Sequence, residues 1–326
     1  MEPISPLRFE PIFRTALWGG RRLSALFPGA PSTGPISEAW VASDQDDNLS
    51  RVADGAWKGR TLRDLLGEHG QTILGRHAGQ FARFPLLLKL IDAKQQLSVQ
   101  VHPDDAQAKT LAGAANGKTE AWVILQADPG SRIFAGLKSG VKETVLRKAL
   151  ADGTIEGYLH EVAPKPGDCF FLPAGTVHAL GGGVLLFELQ QTSDVTYRLF
   201  DWGRVDPKTD KPRTLHVEEA IASADFASGP VVPIQKPVRQ ARGLLRDQLV
   251  SCPYFEIWRN HAASPFAIER SDRCRVLVGA EGLAYLVHDA VEYPLGVGQS
   301  VLLPAATSSC VCIPSGRSTI LECAIP

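Results

Sequence analysis

Apolar and polar side chains alternate along the stretch LSVQVH, residues 97–102. Successive side chains of a strand point to opposite faces, so this alternation predicts a strand with a leucine and two valines on one face. Pro103 ends the strand, because proline has no N–H group to donate to a neighbouring strand. The other face carries a hydroxyl, an amide and an imidazole in a row. Such a row is unusual for a face that meets only water, and it points to a specific partner.

Short apolar segments separated by turn residues continue through the rest of the chain, which has 30 glycines and 23 prolines. The segments are rich in valine, isoleucine, leucine and phenylalanine, a pattern that favours a mainly β architecture with a few helices. Helical spacing or helix-start residues occur in four patches: 61–70, with Thr61 as N-cap and Gly70 as the end; 103–113, with Pro103 as the first helical residue; 141–153; and 216–226.

One sequence pattern occurs twice, in residues 166–178 (PGDCFFLPAGTVH) and 297–309 (VGQSVLLPAATSS). Each copy has a glycine, then a proline after five residues, then a key position after four more. The key residue is His178 in the first copy and Ser309 in the second. Imidazole binds metal ions well, whereas a neutral hydroxyl binds them poorly. We therefore predict one barrel unit used twice, with a chemically active first copy and a structural second copy.

A stretch that mixes proline, glycine and basic residues, 225–245, is predicted to link the two units. The chain has 326 residues, which is long enough for two hydrophobic cores. We predict a catalytic domain with helical insertions at residues 1–230 and a second, metal-free lobe at residues 231–326.

Composition and charge narrow the function. The chain is 44% hydrophobic and 21% charged with a net charge of -1, which argues against nucleic acid and acidic membranes as partners. The first residues, MEPISPLRFEPIFR, lack the apolar core of a signal peptide, and no run reaches the length of a membrane span. The six cysteines include no CxxC pair, so we expect reduced, buried cysteines in a cytoplasmic protein.

The Gly–Pro–His pattern of residues 167–178 resembles the second motif of the cupins, small β-barrels that hold a metal ion with interior histidines and a carboxylate. Two departures narrow the resemblance. Gly182 stands where cupins have an asparagine, and Gln100 with His102 stands where the first cupin motif opens with two histidines. The resemblance implies a mainly β fold of two cupin-type (jelly-roll) barrels with a few helices, the second barrel degenerate.

A narrower resemblance, to the short bacterial form of the type I mannose-6-phosphate isomerases, covers the chain nearly end to end. Its blocks are LWGGRRL (17–23), SEAW (37–40, a looser fit), FPLLLKLIDAKQQLSVQVHPDD (84–105), GKTEAWVIL (117–125), PGDCFFLPAGTVHALGGGVLLFELQQTSDVTYRLFDWGR (166–204) and RTLHVEEA (213–220). The blocks around residues 100, 120, 178 and 198 are specific. The resemblance implies an isomerase that interconverts mannose 6-phosphate and fructose 6-phosphate through an enediol.

The same resemblance implies one Zn²⁺ per chain, held by Gln100, His102, Glu120 and His178. The chemistry of these residues agrees, because imidazole nitrogen and carboxylate oxygen are good zinc ligands. Glutamine is a weak ligand, so it would leave the metal a better Lewis acid than a further histidine would. An open coordination position is needed for water or substrate.

Candidate catalytic residues come from two blocks. Arg198 matches an arginine that the family has near O1 and O2 of the sugar, and Asp194 matches an acid of the same segment, a base or an arginine orienter. Lys118 lies two residues from Glu120 and is a candidate acid–base group or enediolate stabiliser. Glu188 is expected to pair with Arg198 or Lys118. The spacing leaves open which residue transfers the proton.

Candidate substrate contacts are Lys89 and Ser98, which offer an ammonium and a hydroxyl to the phosphate or the sugar. A lysine inside an apolar strand such as LLLKLID needs a buried anion as partner. Trp18 and Trp40 are candidates for the sugar cleft, while His216 is expected to start a helix rather than bind a metal. The implied partner is a sugar phosphate, and the chain is expected to be a monomer or a weak homo-oligomer.

Two other function classes compete with the isomerase. A metal-dependent cupin oxygenase would need iron and more histidines on the metal, and the basic residues beside Gln100 count against it. A non-enzymatic sugar-phosphate-binding cupin would keep the phosphate donors and lose metal ligands, whereas this sequence keeps both sets.

Overall fold

The computed structural model describes residues 4–206, 209–235, 238–241 and 244–326. The predicted linker 225–245 includes residues 236–237 and 242–243, which lie outside the described residues. The fold is mainly β, as predicted from the sequence. Its helices are α1 (Arg22–Leu26), α2 (Leu62–Leu74), α3 (Asp105–Gln107), α4 (Glu143–Ala151) and α5 (Val217–Ser223).

Fifteen strands lie in the described part of the first two-thirds of the chain. They are β1 (Ile12–Arg14), β2 (Glu38–Ala42), β3 (Asp44–Gln45), β4 (Asn48–Leu49), β5 (Leu86–Ala93), β6 (Val99–Val101), β7 (Glu120–Ala127), β8 (Ile133–Leu137), β9 (Leu159–Val162), β10 (Cys169–Leu172), β11 (His178–Leu180), β12 (Val184–Gln191), β13 (Tyr197–Phe200), β14 (Val205–Asp206) and β15 (Lys211–Pro212). A large sheet has the order β1-β2-β5-β12-β7-β10, and a smaller sheet has the order β13-β6-β11-β8-β9. The neighbours in both sheets are antiparallel.

The last third of the chain forms a second pair of sheets. Its strands are β16 (Arg239–Ala241), β17 (Leu244–Ser251), β18 (Glu256–Ala262), β19 (Phe266–Ile268), β20 (Arg275–Glu281), β21 (Leu283–His288), β22 (Val291–Gly296), β23 (Ser300–Leu303), β24 (Cys310–Pro314) and β25 (Ser318–Ala324). The large sheet has the order β16-β17-β18-β25-β20-β23, and the smaller one the order β19-β24-β21-β22.

The strand orders of the two large sheets correspond position by position, whereas the smaller sheets have five and four strands among the described residues. In both large sheets the last strand to be added along the chain lies in the middle, and the strands that carry the repeated pattern, β10 and β23, form the same edge. In both smaller sheets the strand after the repeat, β11 or β24, lies inside the sheet. The two copies of the sequence repeat therefore have equivalent places in the topology.

The large sheets of the two pairs share one hydrophobic core. Leu88, Phe187 and Leu189 of the first sheet belong to the same buried cluster as Ile257 and Leu321 of the second. Burying a leucine, isoleucine or phenylalanine side chain contributes about 1.5–3 kcal/mol. The contact between the two sheet pairs is therefore part of the hydrophobic core of the chain.

The predicted helix at 61–70 exists but ends later than expected. Thr61 is its N-cap, and Thr61 and Asp64 form a capping box in which each side chain accepts the other's backbone N–H. Gly70 does not end the helix, which continues to Leu74 across a non-helical residue at His69. Ile73 and Leu74 are buried, and their packing accounts for the extra turn.

The patch after Pro103 differs from its prediction in one respect. Pro103 is not the first helical residue, because the N-cap is Asp104, whose carboxylate accepts the Gln107 N–H. The helix is only three residues long and continues as a π-helical turn at Ala108–Ala112. The other two predicted helical patches are helical at α4 and α5.

The cysteines and the helices bear on the remaining sequence predictions. All six cysteines are free, and five of them are buried. Burial raises the pKa of the buried thiols, for example to about 12 at Cys169 and Cys274. In the part of the chain that the structure describes, no helix is long and apolar enough to cross a membrane.

Candidate active site and metal centre

The candidate site lies between the two sheets of the first pair. In the smaller sheet, Arg198 of β13 is the direct neighbour of Gln100 of β6, and Gln100 is the direct neighbour of His178 of β11. Directly opposed residues of paired strands point to the same face of a sheet. The register therefore forms a row of guanidinium, amide and imidazole side chains across three strands.

The carboxylate that faces this row comes from the large sheet. Glu120 is the first residue of β7, and His102 follows the last residue of β6. Ligand atoms of His102, Glu120 and His178 all lie within 4.8 Å of one another, and the three residues are buried. The structure thus brings together three of the four predicted metal ligands, and Gln100 lines the same cavity.

Both imidazoles have a defined tautomer. Nδ1 of His102 lies 3.0 Å from the Val195 carbonyl oxygen, and Nδ1 of His178 lies 2.8 Å from that of Thr176. A carbonyl can only accept, so each Nδ1 carries the hydrogen. Burial is the main cause that lowers the pKa of both histidines, so both are neutral and each Nε2 presents a lone pair.

These Nε2 lone pairs point at the Glu120 carboxylate. His102 Nε2 is 3.5 Å from Oε2, and His178 Nε2 is 3.4 Å from Oε1. Among the described residues, Oε1 has no hydrogen-bond partner although it is buried. Two lone pairs that face a carboxylate repel it unless a cation lies between them. This donor set, with each histidine anchored at Nδ1 by a carbonyl, fits a divalent metal ion.

Lys118 lies beside the same carboxylate. Its Nζ is 2.7 Å from Glu120 Oε2 and 3.0 Å from His102 Nε2, and it lies 4.0 Å from Glu188 Oε1. Lys118 itself is buried. The ammonium group therefore contacts the carboxylate and the imidazole on the His102 side of the site, while the His178 side has no such donor among the residues described.

A second buried ion pair forms the floor of the cavity. Lys89 Nζ is 2.9 Å from Glu188 Oε1, and Trp122 Nε1 donates to Glu188 Oε2 at 2.9 Å. Burial alone would raise the pKa of Glu188, but Lys89 and Lys118 hold it at about 2. Burial would also lower the pKa of Lys89, but Glu188 and Glu38 raise it overall. Lys89 is thus charged and already paired inside the protein.

The mouth of the site is basic. The Arg198 guanidinium donates from a terminal nitrogen to the Thr214 carbonyl oxygen at 2.7 Å. Burial lowers the pKa of Arg198, and the nearby Arg213 lowers it further. Arg213 donates from Nε to Asp201 Oδ2 at 2.8 Å, and Arg204 binds the same carboxylate. Asp201 therefore orients two arginines at this end.

One cavity of about 230 Å³ connects the candidate metal ligands with the Lys89–Glu188 pair and with Arg198 and Arg213. Every residue of the predicted site lines it: Trp18, Lys89, Ser98, Gln100, His102, Lys118, Glu120, His178, Asp194 and Arg198. Asp194 is exposed at the rim, whereas Ser98 is buried. Trp40 is not among the lining residues. Its indole packs beside Lys89, with the ammonium nitrogen 5.6 Å from the ring centre.

Four lining residues with polar side-chain groups were missed from the sequence: Glu38, Trp122, Thr196 and Arg213. Strand alternation would have found two of them, because Trp122 lies two residues after Glu120 in β7 and Thr196 two residues before Arg198. Glu38 accepts the Trp40 indole N–H at 2.6 Å, so the pair shares one face of β2. Arg213 belongs to a separate segment, and only the fold brings it to the cavity.

The fold and the cavity together define a class: a mainly β protein that encloses a His–Glu–His candidate metal site between two sheets, with four basic side chains beside it. Residues 7–121 match the family model for the catalytic domain of type I phosphomannose isomerases. The chain is 36% identical to the mannose-6-phosphate isomerase ManA of Bacillus subtilis over 92% of this chain and 93% of the relative.

A second relative and a solved structure agree with this match. The mannose-6-phosphate isomerase of Streptococcus mutans is 33% identical over 93% of this chain and 94% of its own length. The crystal structure of the mannose 6-phosphate isomerase from Bacillus subtilis superposes with a TM-score of 0.89 at 31% identity, covering 98% of this chain and 99% of that chain. The chain belongs to the mannose-6-phosphate isomerase family. The prediction of an isomerase of this family is confirmed.

Proposed function

We propose that the chain interconverts mannose 6-phosphate and fructose 6-phosphate by moving a proton between C1 and C2 through an enediol. The observation that carries this proposal is the convergence of two neutral histidines and one carboxylate with Lys118 and Arg198 in a single buried cavity. The reaction requires a carbon acid beside a carbonyl to lose its proton, so positive groups near the oxygens and a nearby acid–base group are needed.

The metal that we propose is one Zn²⁺ per chain, held by Gln100, His102, Glu120 and His178. Nitrogen and oxygen donors of this kind suit zinc, and the carbonyl-anchored imidazoles present their Nε2 atoms to it. When bound, the ion supplies positive charge beside the sugar oxygens, which acidifies the neighbouring C–H bond. Gln100 is the fourth ligand because it lies directly opposite His178 and lines the cavity.

Arg198 and Lys118 are the proposed catalytic residues at the reacting end. Arg198 is next to Gln100 in the strand register, so its guanidinium can stabilise negative charge on O1 and O2. Lys118 is buried beside the candidate metal ligands and is the better placed proton-transfer group. Asp194 is exposed at the rim, and we assign it the smaller task of orienting the substrate.

We assign the phosphate to the mouth of the cavity. Lys89 is paired with Glu188 at 2.9 Å, so its charge is already balanced and it acts by holding Glu188. Arg213 lines the cavity, and a phosphate bound there would meet a guanidinium oriented by Asp201. Ser98 and Trp18 are proposed to contact the sugar between the two ends.

For the fold, we propose two cupin-type jelly-roll barrels: a catalytic domain at residues 1–230 and a metal-free lobe at residues 231–326. The support is the position-by-position correspondence of strand order in the two large sheets. We also propose a cytoplasmic monomer or weak homo-oligomer, and the free, buried cysteines support a reducing compartment.

A coupled assay tests the function. Purified protein is incubated with mannose 6-phosphate, and fructose 6-phosphate is measured with and without prior treatment with a chelator. We expect turnover that the chelator removes and that Zn²⁺ restores. Full turnover in demonstrably metal-free protein would refute the metal assignment, and absence of turnover with Zn²⁺ present would refute the proposed reaction.

A further inference from the structure

The segment RTLH, residues 213–216, precedes α5; Arg213 lines the cavity, whereas residues 214–216 lie behind its lining. His216 is the N-cap residue of α5, but its side chain makes no capping hydrogen bond. Its Nδ1 instead accepts the backbone N–H of Arg198 at 3.2 Å. The side chain thus points back toward the strand that carries the proposed catalytic arginine.

Three hydrogen bonds join this segment to a single residue, Arg198. His216 N–H donates to the Arg198 carbonyl oxygen at 2.8 Å, and His216 Nδ1 accepts the Arg198 N–H. The guanidinium donates to the Thr214 carbonyl oxygen at 2.7 Å. Both backbone groups of the residue and the end of its side chain are therefore fixed by the same short segment.

The topology explains why Arg198 needs such a partner. Strand β13 is the edge of the smaller sheet, so one side of its backbone has no neighbouring strand. Its register to β6 also shifts between Arg198 and Phe200. His216 completes this edge at one point, since its backbone donates and its imidazole accepts as a neighbouring strand would.

The segment is itself anchored. Ala220 and Ile221 of α5 are buried in the same hydrophobic cluster as Leu199, the residue that follows Arg198. The packing of the helix therefore determines where His216 lies relative to β13. Through the two His216 bonds, it also determines where the Arg198 backbone lies.

We propose that His216 is a positioning residue that holds Arg198 at the reacting end of the cavity, an inference that rests on the proposed isomerase function. Its task requires an unprotonated Nδ1, and hence the tautomer with the hydrogen on Nε2. His216 is neither a candidate metal ligand nor one of the residues that line the cavity. Its contribution reaches the substrate only through the arginine.

His216→Leu and His216→Asn form a matched pair that tests this. Leucine removes the acceptor at similar volume, whereas the asparagine amide oxygen can accept the Arg198 N–H. We expect H216L to lower kcat about tenfold with KM within about twofold, and H216N to retain most of kcat. Zinc content should be unchanged in both variants. Equal losses in both variants, or a loss confined to KM, would overturn the proposal.

A double-mutant cycle separates positioning from general stability. If His216 acts only through Arg198, H216L should cause almost no further loss of kcat in an Arg198→Lys background. Additive losses would show that His216 acts by another route. The wild-type protein is assayed first. If it is inactive, the proposed function is contradicted, and the contact between His216 and Arg198 is then tested by a measurement that does not need activity.

Nitrogen NMR of the imidazole provides that activity-independent measurement. The signals of His216 are assigned by their absence in H216N. We expect the Nδ1 signal of an unprotonated, hydrogen-bonded nitrogen and the Nε2 signal of a protonated one. A protonated Nδ1 in the folded protein would overturn the proposal, whatever the activity of the variants.

Discussion

The interiors of the two sheet pairs differ most at the strands beside the repeated pattern. In the first pair, Leu172 lies opposite Glu120 of β7. In the second pair, the equivalent residue of the repeat, Leu303, lies opposite Arg275 of β20. The position that holds the carboxylate of the candidate metal site in the first pair therefore holds a guanidinium in the second.

A second equivalence runs through the central strands. Glu188 of β12 lies opposite Trp122, and Glu322 of β25 lies opposite Leu277 at the matching position. Both glutamates are buried. Glu188 pairs with Lys89, whereas Glu322 lies 3.2 Å from Arg275 and 3.0 Å from Arg246. The glutamate at this position thus lines the candidate active site in the first pair, whereas in the second pair it only forms ion pairs with arginines.

This difference indicates how one architecture can be functional or structural. In the first pair Glu120 faces two neutral histidines, and Lys118 contacts only its Oε2, so the buried Oε1 on the His178 side needs a cation. In the second pair the arginine supplies the cation from the chain itself. Among the described residues, the cluster His102, Glu120 and His178 is the one group of histidines, cysteines or acids with metal-binding geometry.

We expect the largest difference between the two sheet pairs when the key residue of each repeat copy is replaced. His178→Ala should remove zinc and lower kcat/KM more than about 100-fold, since even outer partners of metal ligands cost 10–100-fold. Ser309→Ala, the matched change in the second copy, should leave both unchanged. Metal analysis and the coupled assay measure the two effects. Activity of H178A without zinc would end the assignment.

Lys118→Met addresses the proposed proton transfer without removing a metal ligand. We expect turnover to fall by about 10²-fold or more, as is typical for loss of a general acid–base group. Zinc content should stay at one per chain. Arg273→Met is the control at the corresponding position, two residues before Arg275, and should leave turnover unchanged. If K118M lost zinc as well, Lys118 would have a structural task.

Glu188→Gln and Glu322→Gln compare the two buried acids. E188Q leaves the Lys89 charge buried without its partner and should lower the free energy of unfolding by about 3–5 kcal/mol, together with activity. E322Q should cost less, about 1–3 kcal/mol, because Arg246, one of its two arginine partners, is partly exposed, and should leave kcat unchanged. Denaturant titrations and the coupled assay give both numbers for each variant.

The pH dependence of unfolding tests the Glu188 ion pair further. The pKa of Glu188 is about 2 in the folded protein against an ordinary 4.5, so the folded state binds fewer protons at this site. Its stabilising contribution is therefore present above pH 4.5 and is lost as the pH falls toward 2. E188Q should lack this part of the acid dependence. An unchanged acid profile in E188Q would contradict the depressed pKa.

The candidate ligand set Gln100, His102, Glu120 and His178 came from the family resemblance, and local sequence patterns supported it at two of its places. The alternation of residues 97–102 indicated the polar face, and the repeat indicated the contrast between His178 and Ser309. The mainly β class and the Thr61 cap followed from composition and helix-start rules. These signals act over a few residues and survive the packing of the whole chain.

What the sequence did not give depends on strand pairing between distant segments. Arg275 stands opposite Leu303 only because β20 and β23 are neighbours, and no spacing rule relates them. The pairing of Lys89 with Glu188 likewise requires β5 beside β12, 99 residues apart. The extension of α2 beyond Gly70 depends on the burial of Ile73. Tertiary packing determined each of these outcomes.

Restoring the key histidine in the second copy should have the smallest effect of all. Ser309→His, placed in an H178A background so that the first site binds no zinc, should leave the zinc content near zero. The imidazole would lack a carboxylate partner, because Arg275 stands where Glu120 stands in the first pair and is already paired with Glu322. The added change Arg275→Glu in that protein distinguishes a missing carboxylate from a missing cavity. Zinc binding by S309H alone would show that the arginine does not keep the second copy metal-free.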